Sequence, residues 1–428
     1  MRIVHLSTNA SGGGAAIATL RIHQRLLARG VDSVLLVMND PVELLDAVQI
    51  VRMRTRDKLH WRWDALARTI TGGKHSSEQR AGFTLNRKSF YPVHVSDQIH
   101  RADVVSLYWV GHGFISPRQL RAFGKPLIWR LSDMWPFTGG CHYSFGCERY
   151  TARCGACPQL ASENDRDETR ILWETKTREW QDLGISIVSP STWIQERALR
   201  SSLFHDKEHH LIATGVDEEV FRPRDRSSAR KALGIEGGQV AVLFGAINAD
   251  PRKGLQHLER LVLQDTNQAY RFFVFGPAPS EKNLAHKRVK FLGTITDEAA
   301  LSKIYSAADV FLAPSLEDNL PNTVLESMAC GTPVVSFSDS GGVIDVITHR
   351  ETGYLAQRDK SDDLNSGIWW AIEANRNGCL SKKIRARIVG SFTLDQQVDQ
   401  YISLYSRLIA NRMPDRRRGK RSTTSLLQ

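Results

Sequence analysis

The sequence predicts an α/β protein of two Rossmann-like domains that face each other across a cleft. Three observations carry that prediction. The chain has 428 residues, too many for one ordinary core. It opens with a strand, a glycine-rich loop, a helix and a second strand. The same alternation of short apolar runs and amphipathic stretches restarts near residue 240.

The elements follow in order. RIVHLS (2–7) reads as a strand and TNASGGGAA (8–16) as a glycine-rich loop. In AIATLRIHQRLLARG (16–30), Ile17, Leu20, Leu26 and Leu27 recur at helical spacing, and Gly30 supplies the stop. SVLLVM (33–38), DVVSLYW (103–109), PLIWRLS (126–132) and ISIVSPS (185–191) are further strands with continuous apolar cores, as buried parallel strands require. TGVDEEVFRPRDRSS (214–228) is the expected linker. The second series is QVAVLFGA (239–246), RFFVFG (271–276), VKFLG (289–293), VFLAPS (310–315) and PVVSF (333–337). Helices are expected at 254–264 and 297–309. The closing stretch 393–411 places Val398, Ile402, Tyr405 and Ile409 on one stripe. These boundaries give an N-terminal domain over 1–212, a second domain over 213–392, a C-terminal helix over 393–410 and a tail over 411–428.

Composition narrows the class. With 41% apolar and 24% charged residues the chain is an ordinary globular protein, which sets aside collagenous and wholly disordered classes. No basic segment leads into a long apolar stretch at the start, and no run of about 18 apolar residues occurs, so a cytoplasmic location is expected. The net charge of +11 is uneven. The tail holds six basic residues against Asp415 and little to bury, so disorder is expected there. A second basic stretch, RMRTRDKLHWRW (52–63), interleaves arginine and lysine with Trp61 and Trp63. It suits an anionic membrane surface, nucleic acid, or a solvated helix with packed tryptophans.

Two domains of this kind bind ligands at the carboxyl ends of their strands. SLEDNLPNTVLESMACGTPVVS (315–336) lies at one such end, with Glu317, Asp318 and Glu326 in one stretch. Asn322 or Thr323 can cap a helix that Gly331 and Pro333 terminate. The stretch reads either as a capped helix with acids around its first turn, or as a phosphate-facing helix start whose carboxylates accept from sugar hydroxyls.

This stretch resembles the Glu-x7-Glu motif of the retaining family-4 glycosyltransferases, including Pro314-Ser315 before it and Ala329-Cys330-Gly331-Thr332-Pro333-Val334 after it. The resemblance implies the GT-B fold. Counting back eight from Glu326 gives Asp318, so the first acid is an aspartate, and Glu317 is expected to be a bystander. GAINADPRKGLQHL (245–258) is similar to the loop whose basic pair, here Arg252 and Lys253, holds the donor diphosphate. SGGVIDVI (340–347), with Asp345 at the usual acidic position, and TGYLA (352–356) also match. The resemblance assigns donor binding to Gly13, Gly14, Arg252, Lys253, Asn319, Leu320, Asn322, Thr323 and Glu326, and catalysis to Ser132, Asp133 and Asp318.

WRLSDMWPFTGGCHYSFGCERYTARCGACPQL (129–160) is similar to a cysteine-containing subgroup associated with bacterial surface polysaccharides of the colanic-acid type. Where the family has His-Asp at the strand end, this chain has Ser132-Asp133, and Tyr108 stands where a histidine is frequent. His112 and His142, nearby in sequence, read either as compensating imidazoles or, the leading expectation, as ordinary surface histidines. Cys141, Cys147, Cys154 and Cys157 fall within 17 residues, as a structural zinc set, as disulfides or redox thiols, or as free thiols. Zinc is the leading expectation, folding a loop on the acceptor side. Asp165-Arg166-Asp167 mimics a metal-binding Asp-x-Asp but lies in a charged stretch, and is read as surface.

The expected function is transfer of a hexosyl residue from a nucleotide-diphosphate sugar to a glycan or polyprenyl-linked glycolipid hydroxyl, with retention of configuration. No catalytic cofactor and no nucleic-acid partner are expected, and peripheral contact with the inner membrane face is. The alternatives are a GT-B scaffold with little or no catalysis and a nucleic-acid-binding protein.

Overall fold

The computed structural model describes residues 1–39, 47–55, 57–58, 82–245, 250–265, 269–277, 286–360 and 362–412. Of the basic-aromatic stretch 52–63, residue 56 and residues 59–63 lie outside the described residues, as does the tail beyond Arg412.

The first half builds strands β1 (Arg2–Asn9), β2 (Asp32–Asn39), β3 (Val48–Ile50), β4 (Val104–Leu107), β5 (Leu127–Arg130), β6 (Ile185–Ser189) and β7 (Glu208–Leu211). Its helices are α1 (Gly14–Ala28), α2 (Asp97–Arg101), α3 (Gln119–Ala122), α4 (Glu168–Trp180) and α5 (Thr192–Arg200). The second half builds β8 (Val240–Gly245), β9 (Tyr270–Phe275), β10 (Val289–Gly293), β11 (Val310–Ala313), β12 (Val334–Phe337) and β13 (Tyr354–Ala356). Its helices are α6 (Arg226–Leu233), α7 (Leu255–Gln264), α8 (Glu298–Ala307), α9 (Asn322–Ala329), α10 (Asp363–Ala374) and α11 (Cys379–Ser391). The chain ends in α12 (Leu394–Arg412), so residues 411 and 412, expected in a disordered tail, are helical.

Both sheets are parallel. Their strand orders are β3-β2-β1-β4-β5-β6-β7 and β10-β9-β8-β11-β12-β13. Each order reverses direction beside its first strand, between β1 and β4 and between β8 and β11. Loops leaving the strands there diverge to opposite faces and open a crevice at the carboxyl ends. In β1, Ile3 packs on one face of the sheet and Val4 on the other, because successive side chains of a strand point opposite ways. Both faces are covered, so the central strands are apolar throughout. The edge strand β7, Glu-His-His-Leu, is not buried and has no such constraint.

The two halves are joined twice. The chain leaves the first sheet near Val216 and returns at Thr393, and the two crossings pair: Val216 N–H donates to Phe392 O at 2.9 Å and Leu394 N–H to Val216 O at 2.9 Å. A Cβ on Gly215 would lie 2.5 Å from Thr393 O, so only glycine allows this approach. Beyond the crossing, α12 lays Val398, Tyr401, Leu404 and Tyr405 against Ile3, Val104, Tyr108 and Ile128 of the first sheet. Ion pairs from α1 flank the join: Arg25 reaches Asp217 at 2.7 Å and Asp395 at 3.1 Å.

Candidate active site

The residues singled out by sequence gather at the strand ends beside the two switch points. Gly13 and Gly14 follow β1, Ser132 and Asp133 follow β5, Arg252 and Lys253 follow β8, and Asp318 to Glu326 follow β11.

On the second sheet, Lys253 Nζ donates to Asp318 Oδ2 at 2.5 Å and Arg252 Nη1 lies 3.4 Å from the same oxygen. Burial pushes the Asp318 carboxyl up, but Lys253 and Arg252 outweigh it and hold it below the usual carboxylate range. Arg252 also donates to Glu317 O at 2.7 Å and to Asp250 Oδ2 at 3.0 Å. Two glycines make this packing feasible. Gly254, at φ 78°, would place a Cβ 1.9 Å from Pro314 O, and Gly341, at φ 126°, would place one 1.7 Å from Asp318 O. The basic turn therefore closes directly on the Pro314 backbone and the 340–342 loop on that of Asp318.

Glu326 is 3% exposed. Its Oε1 accepts from Arg21 Nη2 of α1 at 2.7 Å and its Oε2 from the Tyr305 hydroxyl at 3.1 Å. Arg21 also binds Glu298 at 2.7 Å and lies over the Phe221 ring. Sequence reading missed Arg21, which lies 305 residues from Glu326. Helix α9 is not capped by Asn322 or Thr323: Pro321 holds the N-cap position without a side-chain bond. Asn322 Nδ2 instead donates to Gly14 O at 3.0 Å across the cleft, and Thr323 is partly exposed at the helix start. Leu320 packs into the apolar core of the second domain. Asn319 ties the halves together. Its Nδ2 donates to Leu131 O at 2.9 Å and Ser132 O at 3.3 Å, and its Oδ1 accepts from Ser191 Oγ at 2.7 Å. Asp345 caps the start of α5, accepting from Thr192 N–H at 2.7 Å. Around Gly13 nothing lies within 4 Å of where a Cβ would be, so that backbone is open to approach.

On the first sheet, the Ser132 hydroxyl is buried with no hydrogen-bond partner. Asp133 is the better-furnished residue. Its Oδ2 accepts from Trp109 Nε1 at 2.8 Å and faces His142 Nδ1 at 2.5 Å, and its Oδ1 accepts from Trp135 N–H at 2.8 Å. His142 is therefore not an ordinary surface histidine. Its side chain is 12% exposed and its Nε2 lies 3.0 Å from Thr84 Oγ1. An imidazole from another loop thus sits beside the Asp133 carboxylate. His112 is exposed, at φ 55°, with its ring edge-on to Trp109 at 4.8 Å between centroids. Burial and then His142 push its pKa down.

His142 belongs to the cysteine-rich segment. Cys141, Cys147, Cys154 and Cys157 line one small cavity with Phe83 and Tyr150. All are free thiols. Among the described residues no group of three or more His, Cys, Asp and Glu side chains is placed to hold a metal ion, so the expected zinc set finds no support here. Burial pushes Cys141 and Cys157 up and Cys154 up to about 11, and neighbouring sulfurs of the set raise each of the three further. Cys154 Sγ accepts instead from Gly139 N–H at 3.1 Å. The segment is braced by Lys176 of α4. Its buried ammonium donates to Trp135 O and Thr138 O and lies 3.8 Å from the Trp135 ring centroid. Asp167 of the Asp-x-Asp caps α4, and Asp165 pairs with Arg170.

Glu317, expected to be a bystander, is 7% exposed and accepts from Phe145 N–H of the cysteine-rich segment at 2.8 Å. Burial raises its pKa against that bond and the nearby Arg197 and Arg252.

Comparison with known proteins accords with this geometry. Residues 238–374 match the family described as glycosyl transferases group 1. The Escherichia coli (strain K12) protein assigned as a colanic acid biosynthesis glycosyl transferase, WcaC, is 23% identical over 95% of this chain and 100% of its own length. A D-inositol 3-phosphate glycosyltransferase of Rhodococcus erythropolis is 31% identical, over 47% of this chain and 49% of its own. Among solved structures, Anabaena Alr3699/HepE in complex with UDP-glucose aligns with a TM-score of 0.68 at 16% identity, over 95% of this chain and 100% of its own. The fold is GT-B.

Proposed function

We propose, from the match of residues 238–374 to the group 1 glycosyl transferases and from the GT-B fold, that the chain transfers a hexosyl residue from a nucleotide-diphosphate sugar to a hydroxyl of a glycan or polyprenyl-linked glycolipid. The observation that carries the reading is the pairing of Arg252 and Lys253, after β8, with Asp318, after β11, together with the Asp133–His142 pair at the carboxyl end of the first sheet. Two cations beside a leaving diphosphate stabilise the charge that develops as the glycosidic bond breaks. In the retaining course, the acceptor oxygen attacks on the face from which the diphosphate departs. The bond from C1 to the phosphate oxygen breaks, the bond from C1 to the acceptor oxygen forms, and the acceptor proton passes to the diphosphate.

Glu326 is the ribose contact on this reading. Each of its oxygens has one partner, and a carboxylate oxygen keeps capacity for a second, so ribose hydroxyls can donate while Arg21 stays in place. Charge compensation rests on Arg252 and Lys253, so turnover is expected to persist in a chelator. The likeness to the colanic acid protein supports a surface-polysaccharide acceptor. Peripheral contact with an anionic membrane, motivated by residues 52–63, predicts binding to anionic liposomes that is lost when the basic residues there are neutralised.

The deciding experiment is a thermal-shift panel of nucleotide sugars. A donor that binds only the folded state adds about 2.7 kcal/mol at a hundredfold excess over its Kd. A matching donor therefore raises the melting temperature with concentration. Flat melting temperatures across the UDP-, GDP- and ADP-sugars would overturn the reading.

A further inference from the structure

The cysteine-rich segment carries more than His142 into the cleft. Phe145 N–H donates to Glu317 Oε2 at 2.8 Å, with Phe145 held at φ 48°. Gln159 Nε2 donates to Tyr143 O and Ser144 O at 3.0 Å each, pinning the same turn from the other side. Between these anchors, the Tyr143 ring lies 4.0 Å from the Arg252 guanidinium carbon. A side chain from the first domain thus covers the cation assigned to the donor diphosphate.

Tyr143 offers two things at that point. Its ring fixes one face of the guanidinium, whose N–H fork is already directed by Glu317 O and Asp250. Its hydroxyl adds an O–H donor. A tyrosine phenol is a neutral donor at ordinary pH. A hydroxyl donor on a ring that lies against the Arg252 guanidinium adds to the donors of Arg252 and Lys253 a group that also suits an oxyanion. The nearby Asp318 carboxylate does not fill that role for the phenol, since Lys253 engages it at 2.5 Å.

We propose that Tyr143 is a donor-positioning residue: its ring orients Arg252 and its hydroxyl donates to an oxygen of the donor's diphosphate. The inference rests on the glycosyl-transfer reading and adds to it a residue from outside the domain that carries the family match. It gives the segment 141–157 a purpose that does not need a metal: it delivers His142 to Asp133 and Tyr143 to Arg252, one on each side of the cleft.

The test is calorimetric titration of wild type, Tyr143→Phe and Tyr143→Leu with UDP, GDP and ADP and with the matching monophosphates. Wild type is expected to prefer one diphosphate over its monophosphate. Tyr143→Phe keeps the ring and is expected to lose about tenfold of that preference, the worth of a hydrogen bond to a charged group, with monophosphate affinity unchanged. Tyr143→Leu loses more, because Arg252 is no longer oriented. Melting curves show that both variants are folded. If Tyr143→Phe keeps the full diphosphate preference, or loses affinity for both nucleotides alike, the inference falls while the glycosyl-transfer reading stands. If wild type binds no nucleotide at all, that reading falls first and takes the inference with it.

Discussion

At the residue scale, Glu326 and Glu317 show how a short motif is spent in three dimensions. Glu326 could be singled out from the motif it resembles and its spacing to Asp318, but nothing in the spacing reveals Arg21, which arrives from α1. Breaking one side of a buried ion pair strands the other charge and costs about 3–5 kcal/mol. Glu326→Ala should therefore lower stability by that order as well as weaken donor binding, and denaturant unfolding will separate the two effects. Arg21→Ala should cost as much by the same route while leaving the ribose contact chemically intact. Glu317 behaves differently. Its carboxyl pKa is raised, so the neutral form is favoured in the fold. Its contribution is fully present below the unfolded carboxyl pKa and is lost as pH rises through the folded one. Glu317→Gln keeps an acceptor for Phe145 N–H without the charge, and should leave stability within about 0.5 kcal/mol of wild type and flatten this part of the pH profile. Glu317→Ala leaves a buried N–H unpaired, a loss of about 1–3 kcal/mol in chemical denaturation. Equal behaviour of Gln and Ala variants would mean that the bond to Phe145 is unimportant.

At the scale of elements, what the sequence makes legible follows burial. β1, β2, β4, β5, β6, β8, β9, β11 and β12 read as apolar runs because most are covered on both faces. β3, β7 and β13 are three or four residues long at or near sheet edges, and β7 is Glu-His-His-Leu, which no apolar pattern can flag. The donor loops were legible because their residues are neighbours in sequence. Tyr143 on Arg252 was not, because the fold alone brings them together; His142 could be raised from its nearness to Asp133 in sequence, but not its bond to that carboxylate. The element that braces the cysteine-rich segment is α4, through Lys176. Burial pushes its ammonium pKa down to about 7. Below pH 7 both folded and unfolded chains hold that proton. Between about 7 and 10.5 the unfolded chain holds more, so stability should rise with pH, by at most about 1.4 kcal/mol per unit. Lys176→Met removes this slope, and urea midpoints measured from pH 6.5 to 9.5 will show whether the difference between the two proteins narrows or widens. A constant difference across that range would show that Lys176 stays charged throughout, held by Trp135 O, Thr138 O and the indole rings.

At the scale of the whole molecule, the decisive feature is that the chain crosses between domains twice at one place. Val216 and Thr393 pair, Gly215 allows the contact, and α12 then covers a face of the first sheet with residues from the far end of the chain. The first domain is consequently incomplete until the second has been built. Residues 1–212 alone would expose Ile3, Val104, Tyr108 and Ile128, which Val398, Tyr401 and Tyr405 otherwise bury. Two consequences can be measured together. The intact chain should unfold in a single cooperative transition, and a donor seated on the second sheet should shift that whole transition rather than part of it. A chain stopped at Phe392 should lose cooperativity in the first domain, bind a hydrophobic dye and aggregate, even though every residue near the cleft is present. Tyr401→Ala in the full chain probes the same face more gently, since truncating a buried aromatic costs about 3–5 kcal/mol. If the shortened chain instead melts cooperatively at the wild-type temperature, α12 is an ornament on a self-sufficient domain. If it fails while the second sheet still binds nucleotide, the returning helix is the strap that makes two sheets into one folding unit and holds Tyr143 opposite Arg252.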